Sequence, residues 1–196
     1  MAEEKETNTE KKLNWKQNIV MCLHDFLYML MVLMVCLLLL MRVIVVSGDS
    51  MYATLWDGDY LLLMSNLIYH EPQRGDIVVI NKESFDTIVK RVIATEGQIV
   101  DIDFENGIVY VDGEALDEPY IHNLTTRSEG VSFPLTVAPG HIFVLGDNRY
   151  VSKDSRDPEI GQIDKREVLG KAIYLLIPGT DKDRMPRDFN RVGKIA

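Results

Sequence analysis

Cysteine is nearly absent from this chain of 196 residues. Cys22 and Cys36 are the two present, both inside or beside one apolar run. Nothing beyond residue 36 can form a disulfide, so the rest of the chain must be held by its core, whatever the redox state around it. Basic residues are also scarce. The chain holds 21 Lys and Arg against 30 Asp and Glu, a net charge of −9. Five residues of each sign lie in residues 1–42, so residues 43–196 carry 16 basic against 25 acidic groups. Such a segment lacks the basic face that phosphate binding needs, which argues against a nucleic-acid partner. Histidine is sparse too: His24, His70, His122 and His141 stand apart, in no pattern that marks one of them as a catalytic base. The length suffices for one good core and at most a small subdomain.

What is present is one long apolar run. "FLYMLMVLMVCLLLLM", Phe26 to Met41, carries no charge. Ile19–Leu23 extend it backward across His24 and Asp25, and Val43–Val46 extend it forward across Arg42. The uncharged stretch alone is a little short of the roughly 20 residues that cross a bilayer, and the extended stretch is long enough. A cleaved signal peptide would have a shorter apolar core and a small-residue exit, whereas this run leaves through Leu-Leu-Met-Arg-Val-Ile. A buried core helix or an amphipathic surface helix would show a polar stripe, and four turns here show none. The reading is an uncleaved membrane anchor over 19–46, preceded by a polar segment, 1–18. Lys11, Lys12 and Lys16 lie close before the run and Arg42 alone lies close after it. The positive-inside rule then puts the N-terminus in the cytoplasm and residues 47–178 outside.

After Ser50 the periodicity becomes extended. "YLLLMS", "DIVVIN", "TIVKRVIA", "QIVDIDF", "GIVYVDG", "HIFVLG" and "KAIYLLIP" are short runs of Val, Ile, Leu and Tyr bounded by Gly, Asp, Asn and Pro. "VDIDFENGIVYVDG" reads as a hairpin turning at Asn106-Gly107. Many short strands without alternating helices predict a mainly β, antiparallel, barrel-like domain. Asp101, Asp103, Glu105 and Gly107 loosely match a calcium loop, but the glycine is one place late and the twelfth position holds Asp112 instead of Glu. No metal site is expected there. Residues 179–196 are polar and read as a partly mobile surface tail.

Two residues stand out chemically. Ser50, in "SGDSMYATL", follows a glycine turn soon after the apolar run. A serine hydroxyl is a poor nucleophile unless a base takes its proton. Lys90, in "TIVKRVIA", sits among apolar residues in a strand-like run. Burial disfavours an ammonium and can leave a neutral amine able to act as that base. A lysine in a strand is also commonly just part of a solvated face.

"SGDSMYATL", "RGDIVVI", "VKRVIA" and "LGDNRYVSKDSR", in this order behind an N-terminal apolar run, closely resemble the type I signal peptidases of bacteria, membrane-bound serine proteases that remove signal peptides. The likeness runs from the anchor to about Pro178. It implies Ser50 as nucleophile and Lys90 as general base, with Ser152 helping to hold the lysine amine. It implies that Asp154 and Arg156 support the site as a pair and that Asp147 and Arg91 brace the same region. Met51 and Val89 would wall the substrate pocket. The Ser50 N–H would be one oxyanion donor. Some members place a second donor, a serine hydroxyl, two residues before the nucleophile; here that position is Gly48, with Ser47 one further back. Two further departures are Ala53 where the family commonly has proline, and "ATEGQ" where a Gly-rich "GLPGD" is common.

The resemblance implies cleavage of exported precursors after small residues at the last and third-last positions of the signal peptide, without a cofactor. Partners would be precursor proteins, membrane lipid and, beyond these, the translocation machinery. The position of Ser50 suits that work, because nine extended residues past Met41 span about 30 Å. A relative specialised for pilin or secretion-system subunits, and a catalytically silent assembly factor, are the alternatives.

Overall fold

The computed structural model describes residues 2–82, 86–180 and 187–195. It divides into two units, residues 1–40 and 41–196. The first is one helix, α1, Ala2–Leu40. Its portion Trp15–Leu40 is 26 residues long and none of its apolar window is buried within the protein. At 1.5 Å per residue that is about 39 Å, more than the roughly 30 Å of a bilayer's hydrocarbon core. One N-terminal apolar helix of this length fits a single-pass membrane anchor.

The helix stops at Leu40. Residues 41–45, which the hydropathy alone joins to the apolar run, form strand β1 (Met41–Val45). The sequence there changes from Leu and Met to the β-branched Val43-Ile44-Val45, which suit a pleated ladder better than a helix. β1 pairs antiparallel with β2 (Tyr60–Ser65), Val43 facing Leu62. The chain continues through β3 (Ile77–Ile80), β4 (Ile88–Thr95), β5 (Ile99–Asp103), β6 (Ile108–Val111), β7 (Glu114–Ala115), β8 (Leu135–Thr136), β9 (His141–Leu145), β10 (Ile163–Asp164), β11 (Val168–Ile177) and β12 (Gly193–Lys194). The fold is mainly antiparallel β, as the sequence predicts. All seven quoted runs lie on strands.

One sheet, a curled half-barrel, runs β1-β2-β11-β3-β4-β9-β10, with β12 paired to β11. A second runs β7-β6-β5-β8. β3 explains why the large sheet reads as unbroken apolar runs. Ile77 and Val79 pack with Val46, Met51, Leu55, Leu61, Leu63, Ala172 and Leu175 on one face. Val78 and Ile80 pack with Val92, Ile142, Val144, Ile163 and Val168 on the other. Alternate residues of one strand thus serve two cores. A third cluster fills the space between β4, β9 and the small sheet, with Ile93, Phe143 and Leu145 meeting Val100, Val109 and Val111.

The hairpin at Asn106-Gly107 is there, with a four-residue loop: Asp103 pairs with Ile108 across it. The Asp103 carboxylate accepts the Glu105 and Asn106 N–H groups at 2.9 and 3.1 Å, so it serves the turn. Residues 187–195 are not a loose end. Phe189–Arg191 form a 3₁₀ turn, β12 follows, and Ile195 packs against the cluster that holds Met51.

Candidate active site

The loop from 46 to 59 carries Ser50. Its two ends are tied together, Val46 N–H donating to Asp59 O at 2.8 Å and Gly58 N–H to Val46 O at 2.9 Å. Gly48 turns the chain with φ +87°, a conformation that suits glycine, and its N–H donates to Asp57 Oδ1 at 2.7 Å. Beyond Ser50, Met51 inserts into the core at 1 % exposure and pins the loop from below. The Tyr52–Ala53 peptide is cis.

Lys90 comes from β4, opposite Val78 of β3, and is 2 % exposed. Its Nζ lies 2.7 Å from Ser50 Oγ and donates to the Val89 carbonyl at 3.0 Å. Burial pushes the amine down to about 8 from its ordinary 10.5, against the pull of the Asp154 and Asp147 charges, with Arg156 pushing down as well. A lowered lysine value means that the folded chain binds fewer protons than the unfolded one between about 8 and 10.5. The destabilising cost of burying Lys90 is therefore full below pH 8 and fades as pH rises through that window.

The stretch after β9 supplies the frame. Asp147 takes two hydrogen bonds from Arg91, at 2.9 and 2.8 Å, in a buried ion pair, and accepts the Thr54 hydroxyl. The Arg91 guanidinium also lies 3.9 Å from the centre of the Tyr120 ring. Asn148 N–H donates to Ser50 O at 3.0 Å, and its Nδ2 donates to Asp49 O at 3.2 Å. Asp154 accepts the Gly146 N–H at 3.0 Å and pairs with Arg156, both fully buried. Arg149 closes the frame from outside, donating to Gly146 O at 2.9 Å, to Thr125 and to both Glu118 oxygens. Buried ion pairs of this kind are costly to break singly, because the remaining charge is left uncompensated.

Ser50, Lys90, Asp147, Arg91, Asp154 and Arg156 thus lie together in one region. Ser152 comes near but makes a different arrangement. Its hydroxyl is buried without a hydrogen-bond partner among the described residues, and the amine hydrogen-bonds Ser50 Oγ and Val89 O. Gly48 is no free donor either, since its N–H is held by Asp57. Sequence reasoning assigned no roles to Gly146, Asn148, Arg149, Thr54 or Tyr120. The first three lie in the quoted "GDNR" and Thr54 in the quoted "SGDSMYATL", where the motif itself is the signal; Tyr120 carries none. Among the described residues no histidine hydrogen-bonds Ser50; His141 Nδ1 meets Pro139 O at 2.9 Å. No group of three or more His, Cys, Asp or Glu among the described residues is placed to hold a metal ion.

A cavity of about 340 Å³ opens at Ser50 and Lys90. Ile44–Ser47 line one side, Thr87–Val89 the other, and Met51 and Leu169 complete it. β1 is an edge strand, and β4 joins β9 only from Arg91 onward. The cavity therefore lies between two stretches of strand edge.

The family model described as Signal peptidase, peptidase S26, matches residues 19–177. Signal peptidase I T of Bacillus subtilis (strain 168) is 36 % identical over 192 residues, covering 91 % of this chain and 96 % of that protein. Signal peptidase I of Bacillus licheniformis is 34 % identical over 193 residues, with the same coverage of 91 % and 96 %. A crystal structure of a signal peptidase I from Enterococcus faecalis aligns at 30 % identity and TM-score 0.44, over 52 % of this chain and 96 % of that one. With the family match running from the apolar helix to the end of β11, this chain belongs to the signal peptidase I family, serine endopeptidases that remove signal peptides from exported proteins.

Proposed function

We propose that Ser50 and Lys90 form the catalytic dyad and that cleavage follows small residues at the last and third-last positions of the signal peptide. The observation that carries this is the 2.7 Å separation of Lys90 Nζ and Ser50 Oγ in a site where burial favours the neutral amine. Lys90 takes the hydroxyl proton as Ser50 Oγ attacks the scissile carbonyl. The developing oxyanion meets the Ser50 N–H. With the Gly48 N–H engaged by Asp57, the Ser47 hydroxyl on the cavity wall is the second donor. The Lys90 ammonium then protonates the leaving amine, and water, deprotonated by the same lysine, releases the acyl group. The charges of Asp147 and Asp154 stabilise the ammonium while it exists. Ser152 packs on Gly146, beside the Ser50 carbonyl.

An extended precursor segment enters between the β1 edge and Thr87–Val89, pairing its backbone with theirs. Met51, Val89, Ile44 and Leu169 give apolar walls that suit a small apolar side chain such as Ala. α1 is the anchor, oriented by Lys11, Lys12 and Lys16 with its N-terminus in the cytoplasm. The test is cleavage of a precursor with an Ala-X-Ala site by the full-length protein in lipid vesicles. Replacing the substrate's last Ala with Leu lowers kcat/KM by about 100-fold. Equal cleavage of both substrates contradicts the small-residue reading.

A further inference from the structure

We propose that Arg191, in the C-terminal tail, is a positioning residue for Ser50. The idea rests on the dyad reading above. Arg191 grips the nucleophile loop at three points. Its Nη1 and Nη2 donate to Asp59 Oδ1 and Oδ2 at 2.9 and 2.7 Å. Nη2 also donates to the Thr54 carbonyl at 3.1 Å. The guanidinium lies 3.7 Å from the centre of the Trp56 ring. A planar, forked cation fits this combination of carboxylate, carbonyl and ring face, and an ammonium fits it less well.

The loop depends on such outside support. From Met51 to Gly58 it is a series of turns, and its internal backbone bonds are few, with Leu55 N–H to Met51 O at 2.8 Å the main one. Asp59 is fully buried, and its carboxylate also accepts the Trp56 N–H at 2.8 Å and the Gly179 N–H at 2.6 Å. With the Arg191 side chain 15 % exposed and its partner 0 %, this ion pair is far from the solvated kind that contributes little. The link continues inward. Thr54, whose carbonyl Arg191 holds, gives its hydroxyl to Asp147, which holds Arg91, the neighbour of Lys90. Arg191 is itself seated by an Asp188 cap on the 3₁₀ turn and by the pairing of β12 with β11. The tail thus fixes the far side of the loop whose near side presents Ser50 to Lys90. Releasing it lets Oγ drift from the amine, and displacements of about 1 Å cost about 100-fold in rate.

The experiment compares full-length wild type with Arg191→Ala, Arg191→Met and Arg191→Lys in vesicles, on the Ala-X-Ala precursor, with thermal unfolding recorded for each. Arg191→Ala lowers kcat by about 10- to 100-fold with KM unchanged, because substrate contacts stay intact. Arg191→Lys recovers only part of it, because it restores the charge beside Asp59 but not the fork or the ring contact. If Arg191→Ala does not fold, Arg191→Met, which keeps the stem against Trp56, decides in its place. Wild-type kcat in either folded variant overturns the proposal, whatever happens to Tm, and so does a rise in KM with kcat unchanged. Ser50→Ala and Lys90→Ala in the same assay report on the dyad separately. Turnover surviving in those two removes the dyad, whereas turnover lost there with full kcat in Arg191→Ala removes only the role of the tail.

Discussion

Lys90→Met abolishes precursor cleavage without harming the fold. Nothing else hydrogen-bonded to Ser50 Oγ among the described residues is a base, so without the amine the hydroxyl keeps its proton. Losses of about four to six orders of magnitude in kcat accompany removal of a nucleophile or its base in serine proteases. Ser50→Ala should fall equally far, and the double variant no further, because the two groups act as one unit. His141→Ala should cleave at the wild-type rate, its ring being turned to Pro139 O. The stability readout has the opposite sign. At neutral pH the folded chain bears the cost of burying an amine whose value is pushed down to about 8, and methionine bears none. Lys90→Met should therefore unfold at a temperature no lower than wild type at pH 7. A kcat within tenfold of wild type in Lys90→Met contradicts the dyad.

Gly146→Ala should damage the site almost as severely, through space alone. The φ at Gly146 is one that alanine can adopt, so no backbone penalty enters. A methyl there would stand 2.1 Å from Ser152 Oγ, 2.4 Å from Ser152 Cβ and 2.5 Å from Ser50 O. Ser152 could rotate its hydroxyl away, but its Cβ and the Ser50 carbonyl are fixed to the backbone. The Ser50 carbonyl cannot retreat without carrying Oγ away from Lys90 and breaking its bond from Asn148. Overpacking of this kind costs about 1–3 kcal/mol of stability, and the displaced nucleophile costs about 100-fold in kcat. Both are read from one preparation by thermal unfolding and turnover. Wild-type turnover in Gly146→Ala would show that the close packing of Gly146 on Ser50 is not needed.

The strands were legible in the sequence because β-branched runs between Gly, Asp and Pro have few other ways to be buried. The end of the helix was not. Hydropathy does not distinguish a buried helix from a buried strand, and Val43–Val45 join the apolar run on that measure although their branching makes them a strand. The meeting of Ser50 with Lys90 spans 40 residues of chain, and only the likeness to a family pointed to it. Two details followed from local geometry that no motif carries. The Gly48 N–H is captured by Asp57 nine residues on, and the Ser152 hydroxyl packs on Gly146 without a hydrogen bond among the described residues. The docking of the tail was hidden for a similar reason: Arg191 finds Asp59 across 132 residues, and a polar, charged segment looks the same whether solvated or paired.

The pH dependence of kcat/KM for the precursor tests the neutral amine most directly, because its acid limb reports the base of the free enzyme. Cleavage requires the unprotonated form, so the rate should climb with pH and level off above an apparent value of about 8, with the same limb under varied substrate. A limb near the ordinary histidine value of about 6.5, lost on replacing a histidine, would contradict Lys90 as the base.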